Sequence, residues 1–239
     1  MTTENFELPS GRPIEIQEFK ADTERLLSDE QEIKSGKWLN KFIAKAIASI
    51  DGKPAPQNEG ELVSMLLDMK TGDRNYLILK VRILNYGSEM MFNSKCPNCG
   101  KTSGYRLDLQ QMLDDGTLKV YPYSDKVPVI LKTRAGEAEI DYSTGRTEEW
   151  LAGLKKIDRI HLAMAMCKKF NGHAPEYKEF ADMYARDISE IRKLGSSLKG
   201  GLDPTVELDC LSCETSYNIM LYQIPDFFTP LMMTDDIGR

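Results

Sequence analysis

The chain is poor in the residue types that most often carry catalysis. It has two histidines in 239 residues, His161 and His173. His161 sits in the apolar run Ile160-His161-Leu162-Ala163, and His173 in the loop-like stretch Gly172-His173-Ala174-Pro175. Neither has a nucleophile beside it. No phosphate loop, Gly-rich dinucleotide fingerprint, Gly-x-Ser-x-Gly elbow or His-Glu-x-x-His motif is present. Positive charge is also short: 31 Lys and Arg face 37 Asp and Glu, a net charge of −6. A nucleic-acid binder needs a basic face to neutralise phosphates, so none is expected as partner. No apolar run reaches the roughly 18 residues of a membrane span. The opening Met1-Thr2-Thr3-Glu4-Asn5 lacks the basic start and apolar core of a secretory signal. The expectation is a cytosolically made protein that is not an enzyme and has neither nucleic acid nor membrane as partner.

The remaining composition is that of a globular protein. Hydrophobic residues make up 41% and charged residues 28%, enough apolar matter to build a core. The length suits one large domain or two smaller ones.

The information is concentrated in five cysteines: Cys96, Cys99, Cys167, Cys210 and Cys213. Four of them form two Cys-x-x-Cys pairs, Cys96-Pro97-Asn98-Cys99 and Cys210-Leu211-Ser212-Cys213. Two thiolates at this spacing on one tight turn grip a tetrahedral ion, and two turns complete four ligands. Gly100 follows the first pair, where a turn often needs positive φ. Strand-like residues flank both turns: Met90-Met91-Phe92 and Tyr105-Arg106-Leu107 around the first, Val206-Glu207-Leu208 and Asn218-Ile219-Met220-Leu221 around the second. Two such hairpins facing each other make a zinc ribbon, with Cys96, Cys99, Cys210 and Cys213 as ligands of a structural zinc. Roughly a hundred residues separate the halves, whereas common ribbons leave about 15–20. The metal would therefore join distant parts of the chain.

Disulfides, a redox pair and unused thiols are the other readings. The absence of a secretory signal opposes the first. A redox motif needs one pair at a strand-to-helix turn, not two in hairpins. The paired spacing, occurring twice, opposes the third. Four thiolates leave no open position for catalysis. Cys167, in an apolar helical stretch, reads as core.

Along the chain, residues 1–20 read as two short strands around the turn Pro9-Ser10-Gly11-Arg12-Pro13. Helices are predicted over 22–34, 37–50, 61–69 and 74–86 from apolar spacing, the last capped at Thr71-Gly72-Asp73. Arg74 and Arg82 read as solvated or paired. Strands are predicted near 105–109, 127–132 and 138–142, with 118–123 pairing among them, and Asp114-Asp115 as a helix-ending turn. Long helices follow over 146–170 and 176–198, the second ended by Gly195 and Gly200-Gly201. The apolar tail Ile224-Pro225-Asp226-Phe227-Phe228, continuing to Met232-Met233, either docks on its own core or buries itself in a partner.

The predicted class is α+β, with helical segments and a small antiparallel β region closed by a split four-cysteine zinc ribbon. The expected organisation is 1–88 as a β-hairpin and helical region, 89–109 and 204–224 as the split ribbon, 110–203 as an inserted α/β region, and 225–239 as the tail.

One block is more specific than the rest. It runs Gly72-Asp73-Arg74-Asn75-Tyr76-Leu77-Ile78-Leu79-Lys80-Val81-Arg82, then Tyr86-Gly87-Ser88-Glu89, then Cys96-Pro97-Asn98-Cys99-Gly100. It resembles the baseplate proteins of T4-like contractile-tailed bacteriophages and related injection systems. The opening Leu8-Pro9-Ser10-Gly11 and the late Cys pair followed by Phe227-Phe228 are similar to that family as well. The resemblance touches most of the chain, with the 72–100 block and the last Cys pair its distinctive parts. It implies a structural component of the baseplate, or a factor in its assembly, made in the host cytoplasm and placed in the virion tail. The partners it implies are hub, wedge, tube or sheath neighbours, with several copies per particle. The competing reading is a regulatory or nucleic-acid-binding zinc-ribbon protein.

Overall fold

The computed structural model describes residues 2–27, 38–224 and 227–228. It shows an α+β fold in which small antiparallel sheets alternate with eight α-helices among the described residues.

The first sheet grows from the alternation seen in the sequence. β1 (Thr3–Glu7) and β2 (Pro13–Gln17) pair antiparallel from Thr3↔Gln17 to Glu7↔Pro13. Period-two patterning turns Ile14 and Ile16 into the core. The predicted helix over 37–50 is shorter: α1 (Trp38–Ala46) ends, and Ile47–Ile50 becomes β3, pairing with β2 from Ile14↔Ile50 to Ile16↔Ile47. Ile47 and Ile50 also satisfy a helical spacing, but β2 offers their backbone a ladder and their β-branched side chains favour it. A tight turn at Asp51 (φ 53°) and Gly52 (φ 72°) leads to β4 (Lys53–Pro54).

Two helices complete this half. α2 (Glu59–Asp68) is capped by Asn58, whose Oδ1 accepts from the N–H groups of Gly60 and Glu61 at 2.8 and 3.2 Å. α3 (Thr71–Tyr86) is the predicted buried helix, ended by Gly87 at φ 82°. It is buried almost all round. Asp73 accepts from the backbone N–H of Ser10 at 3.1 Å, and Arg74 donates to Asn40 at 2.9 Å and pairs with Glu148. Arg82 is not solvated, and among the described residues it has no ion-pair partner: it is fully buried and donates to the backbone carbonyls of Phe227, Gly87 and Glu89. A helix surrounded by apolar packing leaves its long cation no route to water, so unpaired carbonyls hold it.

The hairpin β5 (Glu89–Lys95) and β6 (Thr102–Asp108) follows, then α4 (Leu109–Asp114), capped by Asp108 and ended at Asp115 and Gly116. The segment expected to pair with the strands near 130 and 140 does not. β7 (Val120–Tyr121) instead pairs with β11 (Gly201–Leu202). β8 (Val129–Lys132), β9 (Glu137–Ile140) and β10 (Cys167–Phe170) form a three-stranded sheet in the order β10-β9-β8.

Both long helices of the second half are broken. The stretch 146–170 divides into α5 (Gly145–Ala152), α6 (Arg159–Met166) and β10. Gly153 ends α5, and Asp158 starts α6 afresh by accepting from the N–H groups of Ile160 and His161 at 2.9 and 3.0 Å. Cys167 to Phe170 is then drawn into the ladder of β9. The stretch 176–198 divides into α7 (Tyr177–Ala181) and α8 (Ala185–Ser197). Gly195 lies inside α8 rather than ending it. A Cβ there would come within 2.5 Å of the Met166 side chain, so the glycine permits close packing of α6 on α8. Of the predicted helix 22–34, Ala21–Leu27 is a short 3-10 turn; the rest lies outside the described residues.

Two cores result. The larger gathers β1–β3, α1–α4, the hairpin β5–β6, the hairpin β12 (Thr205–Asp209) and β13 (Ser216–Met220), and the residues Leu221, Ile224, Phe227 and Phe228. The smaller gathers Ala138, Ile140, Ala163, Cys167, Phe170, Phe180, Met183, Ile188 and Ile191. Their seam is backbone on backbone: a Cβ on Gly72 would lie 2.0 Å from the carbonyl oxygen of Gly200. The start of the tail docks inward. Phe228 meets the rings of Trp38, Phe42 and Tyr86, and Phe227 meets Tyr222. Residues 225–226 and 229–239, including Met232 and Met233, lie outside the described residues.

Candidate metal centre

The two Cys pairs sit at the tips of two hairpins that are built alike. β5 and β6 pair up to Lys95↔Thr102, and β12 and β13 pair up to Asp209↔Ser216. The loops are therefore residues 96–101 and 210–215, equal in length. In the first, the N–H of Cys96 donates to Lys101 at 2.9 Å and that of Gly100 to Cys96 at 3.0 Å. In the second, the N–H of Cys210 donates to Thr215 at 3.1 Å and that of Glu214 to Cys210 at 2.9 Å. Gly100 has φ 73° and Glu214 φ 57°. Glu214 thus takes the left-handed position that a glycine fills in the other loop, a position that costs a side-chain-bearing residue about 1–2 kcal/mol.

The turns face each other. Cys96 Sγ lies 3.8 Å from Cys213 Sγ, and Cys99 Sγ 3.7 Å from Cys210 Sγ. All four sulfurs lie within 4.8 Å of one another. A tetrahedron of thiolates about 2.3 Å from a zinc ion has edges of about 3.8 Å, so the donor set fits such an ion in number, chemistry and spacing. Both of these approaches run between the hairpins, and all five cysteines are free thiols. Among the described residues this is the one group of His, Cys, Asp and Glu side chains able to hold a metal.

The surroundings act unequally on the sulfurs. Cys96 and Cys210 are buried, Cys213 is half-buried and Cys99 is exposed. The N–H of Ser212 donates to Cys210 Sγ at 3.4 Å. Thr215, by side chain and backbone, together with the neighbouring thiols pulls the Cys213 thiol down to about 6. At Cys99 the backbone N–H of Lys101 acts in the same sense, but desolvation and the other three thiols outweigh it and push the group up to about 11. An ion bound here would draw the protons from all four thiols.

Beneath the thiols the hairpins are tied by tyrosines. Tyr105 donates to the carbonyl of Asp209 at 3.1 Å, and Tyr217 donates to the Tyr105 hydroxyl at 3.2 Å. The Tyr217 bond and desolvation push the Tyr105 hydroxyl up to about 12. Asn98 reaches across to Thr215 at 3.1 Å. Sequence reasoning missed Asn98, Thr215 and both tyrosines. The one available signal was the matching offset of Thr215 and Lys101 from the first cysteine of each loop.

The remaining candidates lie outside this cluster. Cys167 is buried in the smaller core, donates to the carbonyl of Lys169 at 3.0 Å, and burial pushes its thiol up to about 12. His161 pairs with Asp158 at 2.8 Å, and His173 faces Glu179 at 3.4 Å.

Residues 1–229 of the 239 match the family described as T4 bacteriophage base plate protein, a span that contains both hairpins. The chain belongs to that family. The baseplate family is built of structural proteins, which agrees with the resemblance read from the 72–100 block and implies a place in the virion tail. Comparison with curated proteins and with solved structures returned no match. No helix among the described residues is long and apolar enough to cross a membrane.

Proposed function

We propose that this baseplate protein is a non-enzymatic connector, in the finished tail or during its assembly, whose fold is closed by one structural zinc on Cys96, Cys99, Cys210 and Cys213. The observation that carries the metal reading is the approach of four thiols from two distant segments to tetrahedral spacing. A bound ion supplies cross-linking free energy, because a site absent from the unfolded chain converts binding into folding stability. Four protein ligands leave no position for substrate or water, so the ion holds rather than reacts. The smaller core of residues 131–198 is then a lobe set between the two halves of the ribbon.

A connector must survive a sheath's contraction while passing load between neighbours. A cross-link between segments far apart in sequence suits that task better than a larger core. Hub, wedge, tube or sheath proteins are its partners, in several copies per particle, through permanent interfaces that bury about 2,000 Å² or more.

Metal content of purified protein by mass spectrometry, before and after chelation, tests the reading. About one zinc per chain, lost together with cooperative folding, supports it. Full thermal stability after confirmed metal removal would overturn the structural zinc. Absence of the chain from both tails and tail-assembly intermediates would overturn the connector role.

A further inference from the structure

The two Cys hairpins share one design but differ in charge. Lys95↔Thr102 and Asp209↔Ser216 are the last pairs before their loops, so Lys95 and Asp209 hold equivalent positions. In the next outward row Asn93↔Gly104 matches Glu207↔Asn218, and in the row after it Met91↔Arg106 matches Thr205↔Met220. All of these residues are exposed, whereas Phe92, Tyr105, Leu208 and Tyr217, set between them, turn inward to the larger core. Each hairpin therefore has an outer face that no described strand or helix covers.

The first hairpin, residues 89–108, carries Lys95, Lys101 and Arg106 against Glu89 and Asp108. Both acids lie at its base and are engaged there. Glu89 pairs with Arg106 at 2.6 Å, and Asp108 accepts from the N–H groups of Gln110 and Gln111 at 3.1 Å. Lys95 and Lys101, at the tip, are exposed and have no ion-pair partner among the described residues. The second hairpin, residues 205–220, carries Glu207, Asp209 and Glu214 and no cation. These three are exposed and also lack an ion-pair partner among the described residues. The lysines beside its base are held elsewhere: Lys119 donates to the carbonyl of Gly116 at 2.7 Å, and Lys199 pairs with Asp203 at 3.7 Å.

Each outer face also leaves one methionine in water, Met91 at 44% and Met220 at 43% exposure. Equal loop length, register and alternation give the two faces the same hand. Laid one on the other with tips aligned, as sheets pack face to face, they set β5 over β13 and β6 over β12. Met91 then meets Met220. Lys95 and Lys101 meet the tip that carries Asp209, with Glu207 one row beyond. Within one chain the two faces point in opposite directions, so only a second copy can join them.

We propose that copies of this chain associate head to tail, the outer face of the β5–β6 hairpin of one packing on the outer face of the β12–β13 hairpin of the next. A basic segment of another protein would satisfy the acidic face but leave Lys95 and Lys101 unanswered; a second copy answers both with the same contact. Such a contact is heterologous, so it propagates until a ring closes or a filament grows. One hairpin face is smaller than a standard interface, so the contact is weak between two free chains and is consolidated by the effective concentration of an assembly.

The purified full-length chain tests this. A photocross-linker at the exposed position Met91, as Met91→p-benzoylphenylalanine, should give dimers and larger species at concentrations on the order of 0.1–1 mM. Mass spectrometry should place the linked peptide in β13 of a second copy. Lys95→Glu with Lys101→Glu should lower the yield about tenfold or more, and so should Glu207→Lys with Asp209→Lys. An equimolar mixture of the two variants should recover it, because acidic faces then meet basic ones again. If either variant melts lower, the link in the chain of unaltered charge and its suppression by about 0.5 M salt decide the matter. No link between copies, a link to the partner copy's own β5–β6 hairpin, a yield that neither variant nor salt changes, or loss without recovery from two stably folded variants overturns the proposal. None of these outcomes touches the connector role, which stands or falls on the presence of the chain in tails and their intermediates.

Discussion

Arg82 Nε donates to the carbonyl oxygen of Phe227 at 2.9 Å across 145 positions of sequence. The same guanidinium donates to the carbonyls of Gly87 and Glu89. One side chain thus ties the end of α3, the entry to the first Cys hairpin and the returning tail. Among the described residues no carboxylate pairs with it, and desolvation pulls it down to about 10, still far above neutrality, so it stays charged. Arg82→Met removes three donors from buried carbonyls and should destabilise the chain by about 3 kcal/mol. Arg82→Lys should recover little of this, because a point charge cannot present the planar fork. Urea unfolding of both variants measures the difference.

Cys99 and Cys210 meet at 3.7 Å across 111 positions. Cys210→Ser should bring zinc content to background and cost about 5 kcal/mol or more, since bound metal is folding free energy. Metal affinity should also fall as pH drops, because protons compete for the thiolates. Retained zinc and an unshifted melting curve in the variant would sink the four-ligand reading.

Glu214 occupies a left-handed backbone position that its counterpart Gly100 fills without strain. Glu214→Gly should therefore stabilise the second loop by about 0.5–1 kcal/mol. A differential melting measurement at saturating metal tests the sign. Gly100→Ala should act in the opposite direction.

The seam between the cores depends on missing side chains. A Cβ on Gly72 would lie 2.0 Å from the Gly200 carbonyl oxygen, and backbone cannot swing aside as a flexible side chain can. Gly72→Ala should cost about 2–3 kcal/mol. Hydrogen exchange should show the loss around β7 and β11 first; uniform loss, or none, would contradict the seam.

Asp158 caps α6. The N–H of His161 holds its carboxyl down at about 2, aided by the Tyr177 hydroxyl. A depressed carboxylate contributes stability above its unfolded value near 3.8 and loses it as pH falls through the folded value. Stability should therefore drop between about pH 4 and pH 2. Asp158→Asn should flatten that part of the profile, as read by circular dichroism of an acid titration.

The elements legible beforehand are those whose signals are local. α3 showed as a buried helix, although the predicted cap Thr71-Gly72-Asp73 is its first turn and the capping residue Lys70 makes no side-chain bond; α2 showed as a short amphipathic helix, and the Cys hairpins as strands around tight turns. The misread segments are those settled by a distant partner. Ile47–Ile50 and Cys167–Phe170 each continue a helical pattern, yet each is taken by a strand waiting beside it, β2 and β9. Arg82 offered no clue to its burial, because an arginine on a helix ordinarily finds water. Glu214 offered none to its backbone either, since glutamate is not a left-handed residue by habit.

The chemistry of the centre and the family block were both written in runs of adjacent residues. Cysteine spacing, turn length and flanking strands are local properties, and they specify two turns able to grip a metal wherever those turns end up. The folded chain alone settled that the turns meet, that Asn98 and Thr215 join them, that Phe227 and Phe228 return to the core, and that β7 pairs with β11 rather than with the strands near 130 and 140. Those outcomes depend on contacts made across more than a hundred residues in most cases. Such contacts form where burying apolar surface and satisfying backbone groups in the whole fold outweigh local preference.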